Sequence, residues 1–490
     1  MASILSIHKE CETAIREGDL VRAGRLLEKL EVSRVPRKLR LPFAKLCFAA
    51  DKHATGLRLL GPIVRPKRAP QKEPATAHET AAYASHLLLL GNVDEALKLL
   101  ASVEPTAAPE ALLYRAYCHM IQWDSANAVA CLSKLIAIAP DRNLRLKARL
   151  NYASALRGVD RQGESIEVLT EIIAEAEAAG DRQLLADCLS IRGESYKDRR
   201  QFSEAQTDFA RALAIGGDTG SRGNIVLRSK AFIESLENDD VDPLLLARAK
   251  AESDKDWIAL REIDFERLLI RYDEELFSHV FFGTPFQSYR ARMCRDLGKA
   301  PTRTHYVLGK KSDPRLDLET GHLDGRAILN PGKKVHQLLS VLLRDFYRPL
   351  QLGALFAGLF PGEYFDPDSS PGRVHQAVLR ARRWISEKRL PLAIKEIDGC
   401  YRLAITGEIS IRIPAEKLEL NTHQTWLTRL RLLLHGKSTF TSQETSRSLG
   451  VSLSAAKKFL VWAEQSGHVA REGYNRFTTY RLVTGTRAAA

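Results

Sequence analysis

The sequence predicts a mostly α protein. An N-terminal solenoid of helical hairpins covers residues 1–298, and two small domains of helices plus a β-hairpin follow at 303–413 and 424–484. Three observations predict this. Apolar residues over the first 280 positions recur at i, i+3, i+4 and i+7, the spacing of one helix face. A short phrase repeats through the same region. Near Pro301 the character changes, as extended pieces and turn residues enter and positive charge concentrates.

The repeated phrase is clearest in Ala81–Gly91 followed by Asn92–Leu100, where Gly91 stands at a helix stop. It returns as Gly18–Ala23, Trp123–Ala126, Arg161–Ser165 and Gln201–Ala205. Each opens a second helix on a small residue, which lets two helices of a hairpin cross closely. Taking these residues as Ala23, Gly56, Ala96, Ala126, Ser165 and Ala205 gives steps of 33, 40, 30, 39 and 40. Residues 5–240 therefore resemble tetratricopeptide repeats, whose period is about 34 residues. Two breaks interrupt the pattern. Gly61–Pro74 carries four prolines and reads as a loop. Gly216–Asn224 reads as a glycine-rich connection; it lacks the Gly-Lys-Ser/Thr ending of a phosphate loop. Residues 255–298 hold two further helical stretches that cap the array.

Charge divides the chain. Residues 301–490 hold 29 Lys/Arg against 17 Asp/Glu, which leaves 44 against 43 for residues 1–300. One half is suited to a polyanion and the other is not. The cysteines, Cys11, Cys47, Cys118, Cys131, Cys188, Cys294 and Cys400, are odd in number, widely spaced and without a C-x-x-C pair. Neither a disulfide framework nor a zinc ribbon fits, so buried thiols in a reducing cytoplasm are expected, with no cofactor. No secretory leader is read at the N-terminus, and apolar runs such as Leu87–Leu90 are far too short to span a membrane.

In the first C-terminal domain, extended pieces at Leu316–Leu318 and Arg326–Leu329 flank a turn at Thr320–Gly325. Helices are predicted at Lys333–Asp345 and around Leu350–Leu359, then a proline-broken loop at Pro361–Pro371. Arg373–Ile385 follows, with Val374, Val378, Ala381 and Ile385 on one stripe and Arg373, His375, Gln376, Arg380, Arg382 and Arg383 outside it. Leu392–Ala404 reads as a β-hairpin turning at Asp398-Gly399. This order resembles the winged-helix output domain of OmpR/PhoB-type regulators, although no receiver domain precedes it and the hairpin turn is shorter than usual. The resemblance implies that the Arg-rich helix enters the major groove. By position, Arg373, His375, Gln376 and Arg380 would then face bases, Arg382 and Arg383 phosphates, and Lys395 and Arg402 the wing contacts.

The second domain repeats the logic. A helix is predicted at Gln424–His435, a capped helix from Thr441 or Ser442 that ends at Leu449-Gly450, a turn at Val451–Leu453, and a helix capped by Ser454 and running through Ala463. Two strands follow over His468–Leu482. Leu449-Gly-Val-Ser452 is a helix-turn-helix phrase, and the whole resembles the winged helix of bacterial repressors. Ser454, Lys457, Lys458, Asn475 and Arg476 are its candidate contacts.

The function these features imply is a sequence-specific, double-stranded-DNA-binding transcriptional regulator. Its repeat domain would bind a protein or peptide partner or mediate oligomerisation, with a homodimer left open. Two alternatives remain at this stage: a replication initiator or partition-type DNA-binding protein, and a repeat scaffold whose winged helices mediate protein contacts. H-E-x-x-H, P-loop and G-x-S-x-G motifs are absent from the sequence, and no enzyme is expected.

Overall fold

The computed structural model describes residues 4–66, 73–310, 313–414, 426–427, 430, 439–473 and 478–483. They divide into two compact units, one drawn from 1–302 and 307–411, the other from 303–306 and 412–490.

In the first unit the helices pair as hairpins in chain order. They are α1 (Ile4–Arg16) with α2 (Leu20–Glu28), α3 (Arg37–Ala49) with α4 (His53–Val64), α5 (Ala77–Leu89) with α6 (Val93–Ala101), and α7 (Glu110–Ile121) with α8 (Ser125–Ile138). Then come α9 (Arg142–Arg157) with α10 (Gln162–Ala179), α11 (Arg182–Asp198) with α12 (Phe202–Gly216), and α13 (Gly220–Asn238) with α14 (Asp242–Ser253). Helices α15 (Trp257–Ile270), α16 (Glu274–Phe282) and α17 (Gln287–Leu297) end the array.

The first six hairpin turns follow one rule. A residue with positive φ (Gly18, Asp51, Gly91, Trp123, Asp160, Arg200) precedes the N-cap of the second helix. The cap carbonyl then accepts the first helical bond from a residue four positions on: Ala23, Gly56, Ala96, Ala128, Ser165 and Ala205. The small residue in the fourth hairpin is thus the buried Ala128, not Ala126, which is exposed. Counting four from the cap lands on a small buried residue in all six hairpins, where counting the first alanine does not.

The loop expected from Gly61 begins later. Helix α4 continues through Pro62 to Val64, although Pro62 has no N–H to donate to the Arg58 carbonyl one turn back. The glycine-rich segment is shorter than expected, since α12 runs to Gly216 and α13 starts at Gly220.

Residues 307–411 carry two small sheets and three helices. In chain order the elements are β1 (His305–Leu308), β2 (Arg315–Asp317), β3 (His322–Leu323), β4 (Arg326–Ala327), α18 (Lys334–Leu342), β5 (Leu350–Gln351), α19 (Leu352–Leu359), α20 (Ser370–Glu387), β6 (Leu392–Ile397), β7 (Cys400–Ile405) and β8 (Ser410–Pro414). Strands β2, β3 and β4 form a meander, with Leu316 opposite Leu323. The Ser410 amide of β8 donates to the Pro314 carbonyl at 2.8 Å. The second sheet has the order β5-β7-β6. Its hairpin turns on two residues, Asp398 (φ 51) and Gly399 (φ 74), between the paired Ile397 and Cys400. Two positive φ values suit a tight two-residue turn. Leu338, Leu339, Leu355, Phe356, Val374, Val378 and Ala381 fill the core between the helices.

The second unit holds α21 (Ser442–Leu449), α22 (Leu453–Gln465), β9 (Val469–Glu472) and β10 (Thr479–Leu482). Thr441 and Glu444 make a capping box, and Gly450 ends α21 with φ 67. Ser452, not Ser454, caps α22, accepting from the Ala455 amide at 3.2 Å; Ser454 lies exposed in the first turn. Of the helix expected at Gln424–His435, only Trp426, Leu427 and Leu430 are among the described residues. Leu427 and Leu430 pack with Phe440, Phe459 and Tyr480.

Candidate nucleic-acid interface

Helix α20 owes its position to both its own small domain and the helical array. On the domain side, the Trp384 indole donates to the Ile328 carbonyl at 3.2 Å, and Nε and Nη2 of Arg382 donate to the Ile394 carbonyl at 3.2 and 2.9 Å. The first bond ties α20 to the strand meander and the second to β6. His336 ties the meander to α18. Its Nε2 reaches the Leu318 carbonyl at 2.8 Å, while its Nδ1 accepts from the Gly332 amide at 3.0 Å.

On the array side, the segment after α18 enters the array's last core. Tyr347 is buried there among Phe265, Phe277 and Tyr289. Its hydroxyl donates to Asp264 at 2.9 Å. Nη2 of Arg261 lies 2.6 Å from both carboxylate oxygens of Asp345, and both side chains are buried. Asp345 also accepts the Tyr347 and Arg348 amides. Breaking a buried pair by removing one partner costs about 3–5 kcal/mol, so this junction is fixed. At the start of α19, the Gly353 amide donates to the Leu90 carbonyl at 3.0 Å. Before α20, the Phe365 amide donates to the buried Glu95 carboxylate at 2.9 Å. Arg65 pairs with Glu95 at 2.8 Å and stacks 3.7 Å over the Tyr364 ring. Burial raises the Glu95 pKa, opposed by the Phe365 amide and Arg65.

This leaves one face of α20 open. Gln376, Leu379, Arg380 and Arg383 are exposed at i, i+3, i+4 and i+7, a single strip along the helix. His375 is exposed beside it. Arg373 and Arg382 flank the strip and are already engaged. Arg373 holds Glu363 with two nitrogens and lies 3.9 Å over Phe360, while Arg382 bonds Ile394 as above. On the hairpin, Lys395 stands opposite Arg402, and both are exposed. The strip can hydrogen-bond, carry positive charge and offer one aliphatic contact, the mixture that groove edges require. Leu379 was not among the residues expected from sequence. Its signal was there: it falls outside the stripe of Val374, Val378, Ala381 and Ile385 and so must point away from the core.

In the second unit Ser454, Lys457 and Lys458 are exposed on α22, together with Leu453 and Val461. Asn475 and Arg476 lie outside the described residues. Arg471 and Arg481 are exposed on the paired strands, with Arg481 3.0 Å from Glu472. Cys11, Cys47, Cys118, Cys131 and Cys188 are buried free thiols, and burial pushes Cys47 up to about 12. No helix among the described residues is long and apolar enough to cross a membrane.

No family model matches the chain, and no curated protein matches it. Solved structures of helical-repeat proteins are similar to it in part. The apo form of RapI is 13% identical with a TM-score of 0.38, covering 59% of this chain and 87% of RapI. A Rap protein complexed with Competence and Sporulation Factor is 16% identical with a TM-score of 0.40, covering 56% and 84%. The repeats of a Podosopora anserina putative kinesin light chain are 18% identical with a TM-score of 0.28, covering 43% and 93%. With TM-scores this low, the chain's function rests on its own residues.

Proposed function

We propose that the protein is a sequence-reading regulator of double-stranded DNA. Residues 307–411 are its first winged helix, docked on a tetratricopeptide-like array, and the second unit supplies another. The observation that carries this is the strip Gln376, Leu379, Arg380 and Arg383. It is exposed on the third helix of a three-helix domain, beside a hairpin bearing Lys395 and Arg402. Gln376 and Arg380 have the chemistry to read adenine and guanine edges, and Leu379 to meet a thymine methyl. Arg383, Lys395 and Arg402 neutralise phosphates, as do Lys457 and Lys458 of the second module. Two modules on one chain raise affinity through effective concentration. The array, nearly neutral overall, takes a protein or peptide partner and passes its state to α20 through the Asp345–Tyr347 and Gly353 contacts. No residue is given a catalytic role, and the site of action is the cytoplasm.

The test is a salt titration of the full chain on duplex from upstream of its own gene and on a scrambled duplex. Tighter binding to the upstream duplex, with affinity falling steeply as salt rises, is the expected result. Binding indifferent to salt, or none at low salt, would favour the scaffold reading.

A further inference from the structure

Two ion pairs join the array to the two ends of the proposed reading surface. At the N-terminal end of α20, Nε of Arg58 on α4 lies 2.8 Å from Asp368. At the hairpin tip, Nζ of Lys255 in the α14–α15 turn lies 2.5 Å from Asp398. All four side chains are more than two-fifths exposed, at 43% and 68% for the first pair and 51% and 73% for the second. Lys255 is held in a left-handed turn with φ 56, immediately before the Asp256 cap of α15, so its backbone is firmly placed.

From this arrangement we infer that the DNA-facing surface is composite: Arg58 and Lys255 of the helical array contact phosphates on either side of α20. The inference rests on the reading of α20 as the recognition helix. Helix N-termini are among the groups that contact phosphates, and the proposed wing contacts, Lys395 and Arg402, bring duplex backbone to the hairpin. Asp368 and Asp398 put negative charge at those two places, as Glu363 does beside Arg373, and at both of them the array supplies a cation within contact distance. Exposed ion pairs are weak, so each long side chain is free to exchange its carboxylate for a phosphate. A phosphate contact by Arg is also charge-assisted and suited to two parallel bonds. The array thereby becomes part of the footprint, despite its near-neutral total charge. Binding is also made sensitive to anything that shifts α4 or the α14–α15 turn relative to α20.

The experiment uses the full chain and measures log Kd against log salt on one upstream duplex. Variants R58A and K255A are each expected to lower the slope by about 1, with preference for the upstream over the scrambled duplex unchanged. Lys255 acting only to neutralise Asp398 is separated by the double variant K255A/D398N. A slope that stays about 1 below the wild type supports a phosphate contact, and one restored to the wild-type value overturns it. Wild-type slopes for both R58A and K255A likewise overturn the composite surface. If R380A also leaves binding and slope unchanged, the recognition-helix reading itself has failed; if R380A weakens binding while R58A and K255A do nothing, only the composite surface has.

Discussion

Single residues in this chain are held by partners far away in sequence, and their chemistry follows from burial. His86 is the clearest case. It is fully buried, its Nδ1 lies 3.2 Å from Nδ1 of His53, and a Cβ on Gly56 would come within 2.2 Å of its ring. Gly56 therefore stands at the hairpin's small-residue position because only glycine leaves room for the imidazole. Burial, then repulsion from His53, holds the His86 pKa down to about 3. The sign follows from this depression. The folded state keeps His86 neutral while the unfolded chain takes a proton below about 6.5. Its contribution to stability is complete above about pH 6.5 and is lost as pH falls toward 3, by up to about 1.4 kcal/mol per pH unit. Thermal unfolding should show Tm dropping between pH 7 and 4, with a shallower drop in His86→Gln. A wild-type Tm that is flat across that range would contradict the assignment. None of this was legible in the sequence, where His53 and His86 are 33 residues apart with no motif joining them.

At the scale of elements, the helical array was legible and its docking was not. Hairpins could be read because apolar spacing and turn residues are local signals. The same signals located the β-hairpin at Asp398-Gly399 and the capping box at Thr441. They slipped by two residues where two candidates stood together, Ala126 for Ala128 and Ser454 for Ser452, since neither composition nor period distinguishes neighbours of the same type. The docking contacts leave no local trace. Arg261 and Asp345 are 84 residues apart, and Glu95 and Phe365 are 270 apart. Gly353 tests the docking at this scale. A Cβ there would sit 2.3 Å from the Leu90 carbonyl oxygen, a backbone atom that cannot swing away. Gly353→Ala should therefore destabilise the first unit by about 1–3 kcal/mol, read as a lower denaturation midpoint. An unchanged midpoint would mean that α19 does not rest on the α5–α6 turn.

For the whole molecule, the charge asymmetry and the exposed strip on α20 point the same way. The array and residues 307–411 share one compact unit, so the α20 surface is best tested within the complete chain. Sequence placed every arginine of α20 outside the core stripe. It could not tell those that stay open, Arg380 and Arg383, from those engaged by Glu363 and Ile394, because that depends on which loop and strand pack beside the helix. The most direct test of the account is the ratio of Kd values on scrambled and upstream duplex for the full chain and for Q376A/R380A. The account predicts that the ratio collapses toward 1 in the variant, while affinity for the scrambled duplex falls far less, because Gln376 and Arg380 read bases and most phosphate contacts remain. An unchanged ratio in a folded variant would contradict the claim that α20 reads DNA.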